Sequence, residues 1–487
     1  MEQSSRPFYL LTWGVILILL LPILAQDGMF LDGVLYSSVG KNLANGYGTF
    51  WAPRFSEYGI ANSPIFHEHP PLNFGIQAIF YKILGNGFLT ERIYSLLTAI
   101  LNAGLIHLIW KELEKKDHRL RGMSWWALLL WILLPLTYWC FQNNVQENTM
   151  GIFVLSSVWF LMRYLDSGRL MLLIGCGVSL FLASFSKGVT GLFPLGAIVF
   201  WSWTVGRKDN NPDNPIPYQW HYARVGFGRV VRDTLILLVI VFAIYGLLLS
   251  YGPAYDNLMG WFEGRFLHRL DSAPTVDHRY RIWIRIFNEM IYTMAITAVL
   301  IGLFLWRKVD WLAGWSQRKK WVSFFFLLAL SGSAPLVLTM VQKGFYMVPS
   351  YPFYAIAFAL ITAPGLQVWI KKMSKTGKAI VTTFSSVVII AAIGVAAFLF
   401  HGTSRDQDVL PDMHRVGEEV PFGSTLSIYP DIWEDWRVQV YLQRYYHISL
   451  NPRTGDHTYF LTKAEEPAPD GYQEVDLGLT HHKLYRK

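Results

Sequence analysis

Apolar residues fall in eleven runs, near 8–25, 92–110, 124–141, 149–165, 170–186, 188–205, 234–251, 286–306, 321–340, 348–370 and 379–400. Each has the roughly 17–25 residues that a helix needs to cross a hydrocarbon core. This predicts a mainly α protein, a polytopic transmembrane helical bundle of about eleven spans. The run at 70–84 (PPLNFGIQAIFYKIL) is shorter and opens on Pro70-Pro71. It is expected to lie along the interface as a juxtamembrane helix and not to cross. After residue 400 the pattern changes to short alternating stretches, TLSIY (425–429), HTYFLT (457–462) and HKLYRK (482–487), with a helix-like segment at 431–446. These predict a small α/β domain, dividing the chain into residues 1–400 and 401–487.

Charge orients the bundle. Segments 111–121, 206–233 and 307–320 each carry five Lys or Arg, 371–378 carries four, and 163–169 carries Arg163 and Arg169. Basic loops stay on the cytoplasmic side, and one orientation, N-terminus in and C-terminus out, satisfies them all. Counting 70–84 as a crossing would reverse everything after it. Composition agrees: 53% of residues are hydrophobic, 16% aromatic and 16% charged, where a soluble domain carries about 25% charged residues. The net charge of +8 therefore belongs to membrane topology and not to nucleic acid. The N-terminal stretch lacks a clear small-x-small cleavage site and reads as the first span. Cys140 and Cys176, the two cysteines, both sit in apolar runs and read as packing residues.

With that orientation the polar residues of interest share the outer side. The first outer loop, about 26–91, holds Asp32 just past the first span and Glu68 between His67 and His69. Asp32 fits a helix cap or a functional carboxylate near the membrane. Glu68 fits either hydrogen bonding to backbone amides or a divalent metal. Neighbouring side chains on an extended strand point to opposite faces, so at most two of the triplet could share one ion. Glu147 is the only acid of the second loop (FQNNVQENTM). Lys187 follows between two apolar helices, positioned to snorkel or to meet a phosphate. Loop 252–285 carries five Arg, among them Arg265, against the positive-inside trend, and QKGFYMVPSYPFY adds Lys343 and Tyr346. Carboxylates and cations at one surface suit a reaction on a lipid-linked anionic substrate. No GxxxxGK[ST] or GxGxxG element lies on the inner side.

Four segments in order, LDGVLYSSVGKNLANG, FHEHPPL followed by ERIYSLL, SFSKGVTGLFP and KGFYMVPSYPFYAIAFA, resemble the C-class membrane glycosyltransferases. The nearest in pattern are the lipid A aminoarabinose transferases and the protein O-mannosyltransferase-like enzymes. The resemblance spans about residues 10–370. It implies transfer of a sugar, with inversion, from a polyprenyl-phosphate donor to a lipid, protein or glycan acceptor on the periplasmic or extracytoplasmic face of the plasma (inner) membrane. It implies Asp32 as catalytic carboxylate, with Glu68 and Glu147 beside it, and Lys187, Arg265, Lys343 and Tyr346 on the donor phosphate. The chain departs from the pattern in three places. Glu147 stands where members commonly have Asp, Gly33 follows Asp32 where many have a second acid, and His69 replaces the lysine before the di-proline of the lipid A enzymes. A transporter or flippase of lipid-linked saccharides would share many spans and a basic cavity. However, no tandem repeat or matched pair of interrupted helices is evident. A structural subunit whose outer domain binds a partner is the third reading. Convergence of Asp32, Glu68 and Glu147 on one cavity separates the enzyme from both.

Overall fold

A computed structural model describes residues 5–59, 63–206, 226–267, 274–452, 457–467 and 469–487. Most of the basic 206–233 stretch, and Arg269 of the 252–285 loop, lie outside the described residues. The chain is a multi-pass integral membrane protein. Among the described residues eight helices are long and apolar enough to cross a bilayer, and a bent pair would make a ninth. In hydrocarbon a helix is the one local structure that satisfies every backbone N–H and C=O within its own segment.

In chain order, α1 (Arg6–Leu24) leads through a short linker to α2 (Leu31–Ala44), which is followed by α3 (Leu72–Leu84) and α4 (Leu89–Glu114). The 13 residues of α3 span only about 20 Å at 1.5 Å per residue, too short to cross, as its sequence implies. The run expected at 124–141 is not one straight helix. It breaks into α5 (Ser124–Ile132) and α6 (Pro135–Gln142), bent by 75°, because Pro135 has no N–H to continue the ladder and can only start a new helix. Next come α7 (Gln146–Ser167) and α8 (Leu170–Lys187). At 22 residues, α7 is about 33 Å long, but its polar first turn keeps it out of the apolar class. The run at 188–205 is a 3-10 segment, Val189–Gly196, leading into α9 (Ala197–Trp203). The bundle is completed by α10 (Phe227–Leu249), α11 (Gly252–Trp261), α12 (Arg281–Trp306), α13 (Trp315–Ser333), α14 (Tyr351–Lys372) and α15 (Lys375–Phe398). The last helix packs along the first, with Gly14 of α1 facing Val388, Ile389 and the Ser385 carbonyl.

The remaining helices are α16 (Leu410–Glu419), α17 (Pro430–Glu434) and α18 (Trp436–Tyr446). A minimal hairpin pairs β1 (Gly48–Thr49) with β2 (Ala52–Pro53). The C-terminal region carries β3 (Thr425–Ile428), β4 (Ser449–Asn451), β5 (Tyr459–Lys463), β6 (Gln473–Val475) and β7 (His482–Arg486), in the order β4-β3-β5-β7-β6. The β3 strand is parallel to β4 and β5, and β7 is antiparallel to β5 and β6. The three strands read from the alternating stretches are present, the segment expected as one helix is broken at Asp435 into α17 and α18, and α16, β4 and β6 are additions.

This sheet is not an isolated layer. Its core residues Leu426, Ile428 and Leu484, with Tyr441 of α18, are continuous with Met29, Val34, Val39 and Phe74 of the first long loop. A buried polar joint fixes the contact. Asp27, just beyond α1, accepts from the Gly28 amide at 2.6 Å and from the Tyr445 hydroxyl, and meets Arg92 at 3.3 Å and His414 at 3.0 Å. Burial alone would raise the Asp27 pKa; His414, the Arg92 charge, Tyr445 and the Gly28 amide outweigh it and hold the carboxyl at about 2. A pKa depressed from 3.8 means stability that is fully present above about pH 4 and is lost as pH falls through about 2. The joint should therefore contribute about 2 kcal/mol at neutral pH. In melting curves between pH 5 and 2, wild-type protein should lose more stability than Asp27→Asn; parallel profiles would refute this role.

Candidate active site

The basic 111–121 segment takes in the last turn of α4 and the residues after it, and 371–378 spans the end of α14 and the start of α15. Gln367 of α14 donates to the carbonyls of His118 and Arg121, so these segments share one end of the bundle. The acids gather at the other end, where α1 stops, α4 and α7 start and α8 stops.

Asp32 lies in the first turn of α2, half-buried. The helix is seated against the α6–α7 turn. The Phe30 amide donates to Asn143 Oδ1 at 2.8 Å, and Asn144 donates to Ser37 of α2 at 3.0 Å and Gln77 of α3 at 3.1 Å. Gly33, the departure noted beside Asp32, has a steric cause: a Cβ there would stand 2.1 Å from the Asn143 carbonyl oxygen. Only glycine lets α2 come this close to the turn that carries Glu147 four residues later.

Glu147 occupies the first turn of α7 and Lys187 the last turn of α8. Each charge suits the partial charge of its own helix end, and the two form a buried ion pair at 2.5 Å. The Lys187 ammonium also lies 5.2 Å from the Phe345 ring centre and 5.1 Å from that of Tyr346, within cation–π range. Gly188 next to it has φ +97°, and a side chain there would strike the Trp261 indole at 2.5 Å. A π-helical turn, Phe262–Leu267, continues α11 and carries Arg265, which pairs with Glu68.

The His67-Glu68-His69 triplet does not follow strand alternation, which would place His67 and His69 on one face. His69 Nε2 is 3.0 Å from the Tyr36 hydroxyl, whereas His67 packs on Gly260 of α11. Burial lowers the His67 pKa, opposed by its contacts with Asn257 and Asp256. Among the described residues no group of three His, Cys, Asp or Glu is gathered for a metal ion, so the metal considered at Glu68 finds no ligand set there.

Two cavities result. One, about 160 Å³, is mostly apolar, with Met150, Val189, Trp261, Leu336 and Val341 around Glu147, Lys187 and Arg265. The other, about 130 Å³, is polar and holds Asp32, Tyr36, Glu68 and His69. Lys187 and Tyr346 line both. Six of the seven residues expected from the sequence line these two cavities, but the three acids do not converge on a single one: Asp32 and Glu68 line the polar cavity and Glu147 the apolar one, with Lys187 between them. The seventh, Lys343, is exposed and lines neither cavity. Tyr36, Trp261 and Phe345 were not anticipated. Tyr36 had a signal in its spacing, one helical turn beyond Asp32; the other two did not.

Residues 68–219 match the family model described as dolichyl-phosphate-mannose-protein mannosyltransferase, a stretch containing Glu68, Glu147 and Lys187. None of the curated proteins matches the chain. Among solved structures, ArnT from Cupriavidus metallidurans bound to undecaprenyl phosphate is similar at TM-score 0.58 and 12% identity, covering 98% of this chain and 97% of that one. Its apo state gives the same score and identity over 96% and 95%. The archaeal oligosaccharyltransferase AglB from Archaeoglobus fulgidus, in complex with an inhibitory peptide and a dolichol-phosphate, scores 0.44 at 12% identity over 94% and 69%. Along nearly its whole length, then, this chain has the fold of ArnT.

Proposed function

We propose that the protein is a membrane glycosyltransferase that moves a sugar from a polyprenyl-phosphate donor to an acceptor hydroxyl or phosphate, with inversion, on the periplasmic or extracytoplasmic face of the plasma (inner) membrane. The observation that carries this is the pair of adjoining cavities with Lys187 and Tyr346 in common. The apolar one, with two cations, matches the first isoprene units and phosphate of the donor. The polar one, with Asp32 and Glu68, matches a sugar and the incoming acceptor. The family match and the ArnT fold support the same reading, and the basic segments at the far end of the bundle support the sidedness.

In the reaction Asp32 accepts the acceptor proton as the acceptor oxygen attacks the anomeric carbon. The bond from that carbon to the phosphate oxygen breaks, its electron pair leaves on the phosphate, and Lys187 and Arg265 stabilise the developing charge. One in-line displacement inverts the centre. Glu68 and Glu147 orient the acceptor. Mass analysis of envelope glycolipids and glycoproteins, with and without the gene, tests the proposal. One glycosyl increment should disappear and return with the wild-type gene; identical profiles would sink it. A flippase would instead relocate an unchanged lipid-linked sugar.

A further inference from the structure

Both cations assigned to the donor phosphate already carry a carboxylate. Lys187 is on Glu147, with side-chain exposures of 6% and 0%, and Arg265 is on Glu68. These four residues line the two cavities, so the ion pairs stand where a phosphate would have to sit. A phosphate oxygen and a carboxylate oxygen compete for the same N–H donors. Around Lys187, only 6% exposed, a cation stripped of one anion needs another at once.

The geometry points to an anion exchange. We propose that Glu147 and Glu68 hold Lys187 and Arg265 in the empty site, and that the donor phosphate displaces them and frees both carboxylates toward the polar cavity. This rests on the polyprenyl-phosphate reading and adds an order of events to it. The acceptor-orienting carboxylates become available only once the donor is seated, so donor binds before acceptor.

The arrangement keeps the cations from being stranded during the exchange. Lys187 keeps the faces of Phe345 and Tyr346 when Glu147 leaves it. Glu68 and Arg265 are the more exposed pair, at 21% and 39%, and water can reach their groups as they part. Asp32 lines the polar cavity into which the carboxylates turn. Its own charge favours a neutral or proton-donating group arriving between them, which an acceptor hydroxyl supplies.

The experiment uses the full-length protein in detergent or nanodiscs with sugar-free undecaprenyl phosphate as the probe and undecaprenol, which lacks the phosphate, as control. Glu147→Gln and Glu68→Gln should each tighten undecaprenyl phosphate binding by about tenfold and leave undecaprenol unaffected. Lys187→Met should weaken the phosphate lipid by about tenfold, and adding Glu147→Gln to it should restore nothing, since the competition requires the lysine. Two independent pairs guard against one variant that fails to fold. Unchanged or weakened binding in both glutamine variants, with wild-type melting temperature, would overturn the exchange while leaving the donor assignment standing. Failure of wild-type protein to distinguish undecaprenyl phosphate from undecaprenol would overturn both.

Discussion

Replacing Asp32 by Asn is expected to lower the rate of sugar transfer by about 10²- to 10⁴-fold, the range over which a positioned general base acts. Affinity for undecaprenyl phosphate should not fall. The substitution keeps the size and hydrogen-bonding shape of the side chain, and the α2 seat at Phe30, Gly33 and Ser37 does not use the carboxylate. The cations that meet the phosphate are held by Glu147 and Glu68 in the empty site. Loss of kcat without loss of donor binding is therefore the signature, measured with a labelled polyprenyl-phosphate sugar in membranes and by direct lipid binding. Transfer at the wild-type rate would refute the base assignment. Equal loss of rate and binding would instead make Asp32 a donor-site residue.

The membrane architecture was legible because lipid leaves few choices: length, apolarity and loop charge separate a crossing from an interfacial helix. That reasoning kept α3 out of the bundle and so placed Asp32 and Glu68 on one loop. It did not reveal the bend at Pro135, since proline can be carried inside a straight-reading apolar run. It could flag Gly33 as an oddity but not explain it, because the Asn143 carbonyl that forbids a side chain is more than a hundred residues away. Lys343 and Lys187 looked alike in sequence, both cations beside apolar helices. Only packing shows that one points into the cavity wall and the other stays exposed. The carboxylate–cation pairs were invisible for the same reason. The short strands β4 and β6, three residues each, are below the length at which alternation can be recognised.

Least legible of all was the joint between the C-terminal region and the bundle, and it leads to the largest expected effect on stability. Arg444 of α18 is fully buried. It donates to Glu91 at the start of α4 at 2.5 Å, and to the carbonyls of Asn86 and Gly87 at 3.0 and 2.9 Å, while stacking over Tyr81. Glu91 also takes Arg92 at 2.8 Å, and Arg92 reaches Asp27. Two cations thus balance two carboxylates in a closed set. Lys41 of α2 caps the same end of α18, donating to the Gln443 and Arg444 carbonyls at 3.1 and 2.6 Å. Burial, reinforced by the Arg444 charge, pushes its pKa well below the usual lysine value, with Glu91 opposing. The helix that carries Asp32 is therefore clamped to α18 at Lys41 and, through the Tyr441 hydroxyl on the Met29 carbonyl at 3.3 Å, just ahead of its first turn.

Arg444→Met keeps most of the side-chain volume but leaves Glu91 short of a partner, the Asn86 carbonyl without its donor and the Gly87 carbonyl with only the Thr90 amide. Breaking a buried pair from one side costs about 3–5 kcal/mol. The expected result is a clearly lower melting temperature and proteolytic cleavage within residues 401–487 that the wild type resists. Adding Glu91→Gln should recover part of the loss, because a buried carboxylate that has lost one of its two cations is what makes the single change costly. Wild-type melting and protease resistance in Arg444→Met would show that the sheet region does not depend on this joint. If, instead, stability falls and sugar transfer falls with it while undecaprenyl phosphate still binds, the C-terminal region holds α2, and with it Asp32, in register for the acceptor.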